Sequence, residues 1–141
     1  MKAIKSCLTI SAAVFCLVAV SPAAFSAAKD KVPADAKGVE NPVENDDDVL
    51  KAAKKIYKKK CKKCHGSKGN GKGPGAKDME PMPPDWTGGA DATDGELFWI
   101  TMNGSKDTEM KGWQAGSAKA GKEISDEQAW GVVHYIRSLA N

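Results

Sequence analysis

Histidine occurs only twice in these 141 residues, and cysteine four times. Aromatic residues make up 6% of the chain, three Phe, two Tyr and four Trp, so its own side chains build only a modest core. Long apolar runs are missing as well. The longest, Leu8 to Val20 (LTISAAVFCLVAV), has about 13 residues where a bilayer crossing needs about 20, which excludes stable membrane insertion. No segment alternates apolar and polar residues, and no internal repeat is present, so strands and solenoids are not expected. The formal charge of +3 is too small to support nucleic-acid binding.

The N-terminus explains several of these shortages. Lys2 and Lys5 precede the apolar run, Ser21-Pro22 ends it, and small residues follow at Ala24 and Ser26. This is the pattern of a secretory signal peptide over residues 1–26, cleaved before Ala27, with cleavage after Ala28 as the near alternative. Cys16 follows bulky Phe15, which disfavours lipid attachment there. Cleavage removes Cys7 and Cys16, leaving Cys61 and Cys64 in a single motif, so a disulfide-stapled scaffold is excluded. It also removes Lys2 and Lys5, leaving the mature chain near neutral.

Residues 27–48 (AAKDKVPADAKGVENPVENDDD) have two prolines, seven acids and three lysines without an apolar period. They are expected to form a flexible acidic leader, with residues 49–141 as one domain. From Val49 the pattern changes. Val49, Ala52, Ala53, Ile56 and Tyr57 recur at helical spacing, with lysines opposite and Asp46 to Asp48 at the start. Thr93-x-x-Glu96 and Ser125-x-x-Gln128 are capping boxes opening two further helices, the second carrying Ala129, Val132, Val133, Ile136, Leu139 and Ala140. The reading is all-α: three or four helices joined by long glycine- and proline-rich loops. A loop as long as residues 66–95 needs something to organise it in so small a domain, and a bulky apolar cofactor meets that need.

The sequence CKKCHG supplies an attachment for one. In C-x-x-C-H two thiols add to the vinyl groups of a haem, and the adjacent histidine binds iron from the same side. Cys61 and Cys64 are then covalent tethers and His65 an axial ligand. Rival readings are a thioredoxin-like pair, which belongs with a βαβ pattern absent here, a zinc site recruiting His134, which its helix would turn toward solvent, and a chance motif.

From Val49 to Leu139 the chain resembles a monohaem class I c-type cytochrome of the bacterial periplasm. The matching segments are KKIYKKKCKKCHG, GNGKGPGA, PMPPDW, DGELFWITMNGSKDTEMKGW and SDEQAWGVVHYIRSL, in the family's order. The resemblance implies one covalent haem c with its iron and a periplasmic location. It implies Tyr57 packed near Tyr135 where the first and last helices cross, with Ala53 standing where the family often has glycine. It also implies that the Pro74 carbonyl accepts from His65 Nδ1 and fixes the tautomer presented to iron.

A methionine is the expected sixth ligand, since a thioether favours ferrous iron and raises the potential relative to a second imidazole. Met102 lies within a helical stripe and reads as core, while Met79 and Met82 read as haem-edge residues. Met110 fits the family's ligand segment T-x-M-P-x-aromatic, with Thr108 and Trp113 near it and Lys111 in place of the proline. That departure implies a less rigid ligand loop.

The reading is therefore a non-enzymatic, monomeric electron carrier with His65 and Met110 as axial ligands. Eight lysines from Lys51 to Lys63, with Lys68, Lys72 and Lys77, offer a basic docking face. By resemblance the partners are membrane respiratory complexes such as a quinol-oxidising complex and a terminal cytochrome oxidase. The alternatives are a haem-based small-ligand binder or sensor with a displaceable sixth ligand, and the cytochrome subunit of a periplasmic dehydrogenase.

Overall fold

The computed structural model describes residues 29–116 and 121–140. The signal peptide expected at residues 1–26 lies outside the described residues. Helices are α1 (Ala34–Lys37), α2 (Asp47–Lys60), α3 (Lys62–His65), α4 (Asp94–Asn103) and α5 (Asp126–Arg137). Among the described residues there is no strand, only an isolated antiparallel bridge between Gly104 and Lys111.

Each long helix begins where its capping signal stands. The Asp46 carboxylate accepts from the Val49 amide at 2.8 Å, and the boxes Thr93/Glu96 and Ser125/Gln128 are closed in both directions. Two orphan amide donors are thereby satisfied at each box, and the acids of the first turns complement the helix dipole.

The frame is the crossing of α2 over α5. Ala53 and Tyr57 are buried on one helix and Val132, Val133 and Ile136 on the other. The Tyr57 and Tyr135 rings lie 5.0 Å apart at 57°, the packing the resemblance implies. Close approach comes from the far side of the contact. Gly131 of α5 faces Val49 and Ala53, and a Cβ there would come within 3.3 Å of Val49 and 3.6 Å of Ala53. A small residue opposite another lets the helices nest although the first is alanine. Of the α2 stripe, only Ala52 is exposed. α4 packs on α5, where Phe98 and Trp130 stack at 4.0 Å and 8°. Arg137 ties the entry of α4 to α5, donating to Asp94 at 2.9 Å and to the carbonyls of Ala90 at 2.8 Å and Ala92 at 2.5 Å.

The segment expected as a flexible leader is instead seated on the domain from Lys29 to Asp46. Val32 is 4% exposed, α1 packs on α4, and Gly95 gives the chain room, since a Cβ there would collide with the Ala36 carbonyl. Asn41 donates to the Trp130 carbonyl at 3.1 Å. His134, expected to face solvent, is half-buried with Nε2 2.7 Å from the Val43 carbonyl. The attachment uses one buried valine and single polar contacts to residues far along the chain, none of which gives local periodicity.

Candidate functional site

α2 runs into α3 almost without a break, because the Cys61 amide still bonds to the Tyr57 carbonyl at 2.9 Å and the His65 amide to the Cys61 carbonyl at 3.0 Å. One further helical turn thus spaces Cys61, Cys64 and His65 at i, i+3 and i+4, which puts all three on the same side. That side forms one wall of an apolar cavity. Leu97, Ile100 and Thr101 of α4, Ile136 of α5, and the prolines Pro81, Pro83 and Pro84 form much of the rest.

The glycine-rich loop is organised by the backbone of this same turn. Gly71, Gly73 and Gly75 donate to the carbonyls of His65, Cys64 and Lys63 at 3.0, 3.0 and 2.8 Å. Contact is so close that a Cβ on Gly73 would overlap the Lys63 carbonyl. Further on, the Trp86 amide bonds to the Gly69 carbonyl at 2.7 Å, and the Trp86 ring stacks on His65 at 4.4 Å and 12°.

Met110 reaches the cavity from the loop after α4. Its amide donates to Thr108 Oγ1 at 3.1 Å, and its carbonyl accepts from the Ser105 amide at 3.1 Å. Thr108 in turn closes on the Ser105 carbonyl with amide at 3.3 Å and hydroxyl at 2.8 Å. Met79 and Met82 also line the cavity, Met82 half-exposed at 50%. Met102 is buried in a second apolar cluster with Ile124 and Ala129, as its helical spacing suggested.

The cavity therefore brings together Cys61, Cys64, His65 and Met110. It does not include Pro74, which is exposed. The hydrogen bond expected from His65 Nδ1 to the Pro74 carbonyl is not made: His65 Nδ1 is buried without a partner. The flanking Gly73 and Gly75 amides, fixed on Cys64 and Lys63, hold that stretch of loop and leave Pro74 on its outer side. Sequence reasoning gave no role to Trp86 or Ser105, and took Lys60 only as one lysine of the docking face. Trp86 Nε1 and Ser105 Oγ are buried without partners in the cavity wall. The one signal was a tryptophan standing alone in a glycine- and proline-rich loop. Lys60 lies 4.5 Å over the Trp113 ring and donates to the Lys122 carbonyl, joining α2 to the chain beyond Met110.

Burial pushes the His65 imidazole down to about 4, so it stays neutral, the state in which a ring nitrogen can bind metal. Apolar surroundings push the Cys61 thiol up to about 12, unlike the lowered thiol of a redox-active C-x-x-C pair. Cys61 and Cys64 are free thiols, not joined to each other. His134, which a zinc site would recruit, is not in this cavity; its Nε2 lies 2.7 Å from the Val43 carbonyl. An apolar cavity walled by two free thiols, a neutral imidazole and a thioether fits a large apolar group carrying a soft-ligand metal centre.

The family model for cytochrome c matches residues 50–140. Among solved structures, a chain of the reducing HAO-like protein complex of Kuenenia stuttgartiensis is similar, with 29% identity and a TM-score of 0.59 over 73% of this chain and 50% of that one. The chain thus spans about half the length of that relative. None of the curated proteins matches. The family's cofactor is haem c with its iron, bound covalently through the spacing found at Cys61 and Cys64. Because the match runs from the first turn of α2 through α5, it takes in every wall of the cavity, and this chain belongs to the cytochrome c family.

Proposed function

We propose that the protein is a periplasmic electron carrier, with His65 and Met110 as the axial ligands of its haem iron and membrane respiratory complexes as donor and acceptor. Haem-based electron transfer follows from the family. The finer reading rests on one observation: Cys61, Cys64 and His65 share a cavity with a methionine whose backbone is bonded on both sides. When bound, the haem supplies a one-electron couple at iron. The chain supplies the rest. Cys61 and Cys64 anchor the group, neutral His65 offers a nitrogen, Met110 offers sulfur, and Leu97, Ile100 and Ile136 exclude water.

The lysine face supports docking on an acidic partner. Lys54, Lys55, Lys58, Lys59, Lys62 and Lys63 are exposed and make no ion pair among the described residues, while Lys60 stands at the cavity wall. Unpaired charge beside the cofactor steers a partner to the edge where electrons cross. Among the described residues no helix is long and apolar enough to cross a membrane.

A second reading is that the chain is a cytochrome subunit of a larger redox assembly. It is favoured by the similarity to a chain of a reducing HAO-like protein complex.

Visible spectra of the mature, haem-loaded protein, ferric and then ferrous, before and after carbon monoxide, test the carrier. A sulfur-to-iron charge-transfer band without a carbon monoxide response is the expected result. Ready carbon monoxide binding would move the reading to a ligand binder or sensor with a displaceable sixth ligand. The native mass of the endogenous protein separates a free carrier from a subunit.

A further inference from the structure

The N-terminal segment meets α4 and its two flanks through three lysines. Lys29 donates to the Asp91 carbonyl at 2.5 Å and carboxylate at 2.8 Å, in the loop before the helix. Lys37 pairs with Glu96 at 3.7 Å in its first turn, and Thr93 Oγ1 donates to the Lys37 carbonyl at 2.7 Å. Lys31 reaches past the far end, to the Asp107 carboxylate at 2.6 Å and the Lys106 carbonyl at 3.4 Å. The lysines are carried on an anchored piece of chain: Val32 is buried, and its amide bonds to the Lys29 carbonyl at 3.1 Å. Because the backbone that carries them is already fixed, an ion pair here costs only the ordering of the side chains.

Asp107 is the tip of the turn that carries Met110. It holds φ = 61°, a left-handed conformation that aspartate tolerates, and the turn is closed by Thr108 on Ser105, whose amide holds the Met110 carbonyl. Opening this turn is the motion by which Met110 would leave the cavity.

We infer that Lys31 and Asp107 are positioning residues for Met110, the N-terminal segment acting as a strap that holds the turn shut against exchange of the sixth ligand. This rests on the reading of Met110 as an iron ligand. The pair is open to solvent, Lys31 at 39% and Asp107 at 71%, so its hold weakens with salt. Asp107 is held below the usual carboxylate range by the Lys31 ammonium.

Imidazole titration of the ferric, haem-loaded protein tests the strap, since imidazole binds iron only when methionine leaves. Lys31→Glu, which turns attraction into repulsion, raises the apparent imidazole affinity roughly threefold to tenfold at low salt. Adding Asp107→Asn to it returns the affinity to that of Asp107→Asn alone, and at about 1 M salt the differences shrink. The denaturation midpoint is followed in parallel. A strap that is merely structural shifts the midpoint and leaves imidazole affinity unchanged, which overturns the inference; so do two effects that simply multiply. Met110→Ala separates the two levels. If the charge-transfer band survives that change, the ligand reading fails and the strap with it; if the band is lost but Lys31→Glu has no effect on imidazole, only the strap fails.

Discussion

The Tyr57 hydroxyl donates to the Gly66 carbonyl at 2.9 Å, inside the crossing of α2 and α5. The bond joins α2, one turn before Cys61, to the residue that follows His65, so one buried tyrosine ties this helix to the far end of the attachment motif. Burial raises its pKa, with Cys61 and Tyr135 adding to the effect, and the hydroxyl stays a donor at every physiological pH. Tyr57→Phe leaves the Gly66 carbonyl unpaired and is expected to cost about 1–2 kcal/mol of stability. Denaturant unfolding of the haem-loaded protein measures this, with an unchanged visible spectrum.

Met110→Ala and Met102→Ala are expected to fail in opposite ways. The first removes the sulfur from the cavity, so the charge-transfer band disappears, ferrous protein binds carbon monoxide and the potential falls. Removing Met102 instead leaves a void beside Ile124 and Ala129, costing about 2–5 kcal/mol with the band intact. Spectra and unfolding curves of the two variants, side by side, check both assignments.

Gly73→Ala forces a methyl group against the backbone of Lys63 and Cys64. Neither neighbour can yield without moving the attachment turn, so a loss of about 1–3 kcal/mol and a lower yield of haem-loaded protein are expected. Gly88→Ala, with open space around the added carbon, is the control that should change neither.

Asp91 and Asp107 are both held below the ordinary carboxylate range by Lys29 and Lys31. A depressed folded pKa gives stability that is complete above the unfolded value of about 3.9 and lost as pH falls through the folded one. The protection of the Val32 amide, its exchange rate taken relative to that of a free peptide at the same pH, should therefore fall on acidification below about pH 4. Lys29→Gln with Lys31→Gln should remove that acid step, leaving the amide already weakly protected at neutral pH.

Reversing charge at Lys58, Lys62 and Lys63 to Glu leaves the core untouched, because all three are exposed. With an acidic redox partner the association rate at low salt is expected to fall at least about tenfold and the gap to close as salt rises. Stopped-flow electron transfer at several ionic strengths reads both effects.

Much of this protein was written locally in its chain. The capping boxes at Thr93 and Ser125, the acids before α2, and the spacing of Cys61, Cys64 and His65 act within one helical turn, so sequence alone determined the all-α class, the helix starts and the attachment site. Placing Met102 in the core followed from the same helical period. What depended on distant contacts was decided only in the tertiary structure. The strap from Lys29 to Asp46 takes its order from Val32 and from acids about sixty residues and more away, and local composition pointed to a flexible segment. Gly131 supplies the glycine that α2 lacks, the amides on either side of Pro74 bond to Cys64 and Lys63, and Ser105 and Thr108 bond the Met110 backbone. Helical periodicity and capping report interactions within four residues; packing and loop hydrogen bonding join residues whose separation in sequence carries no signal.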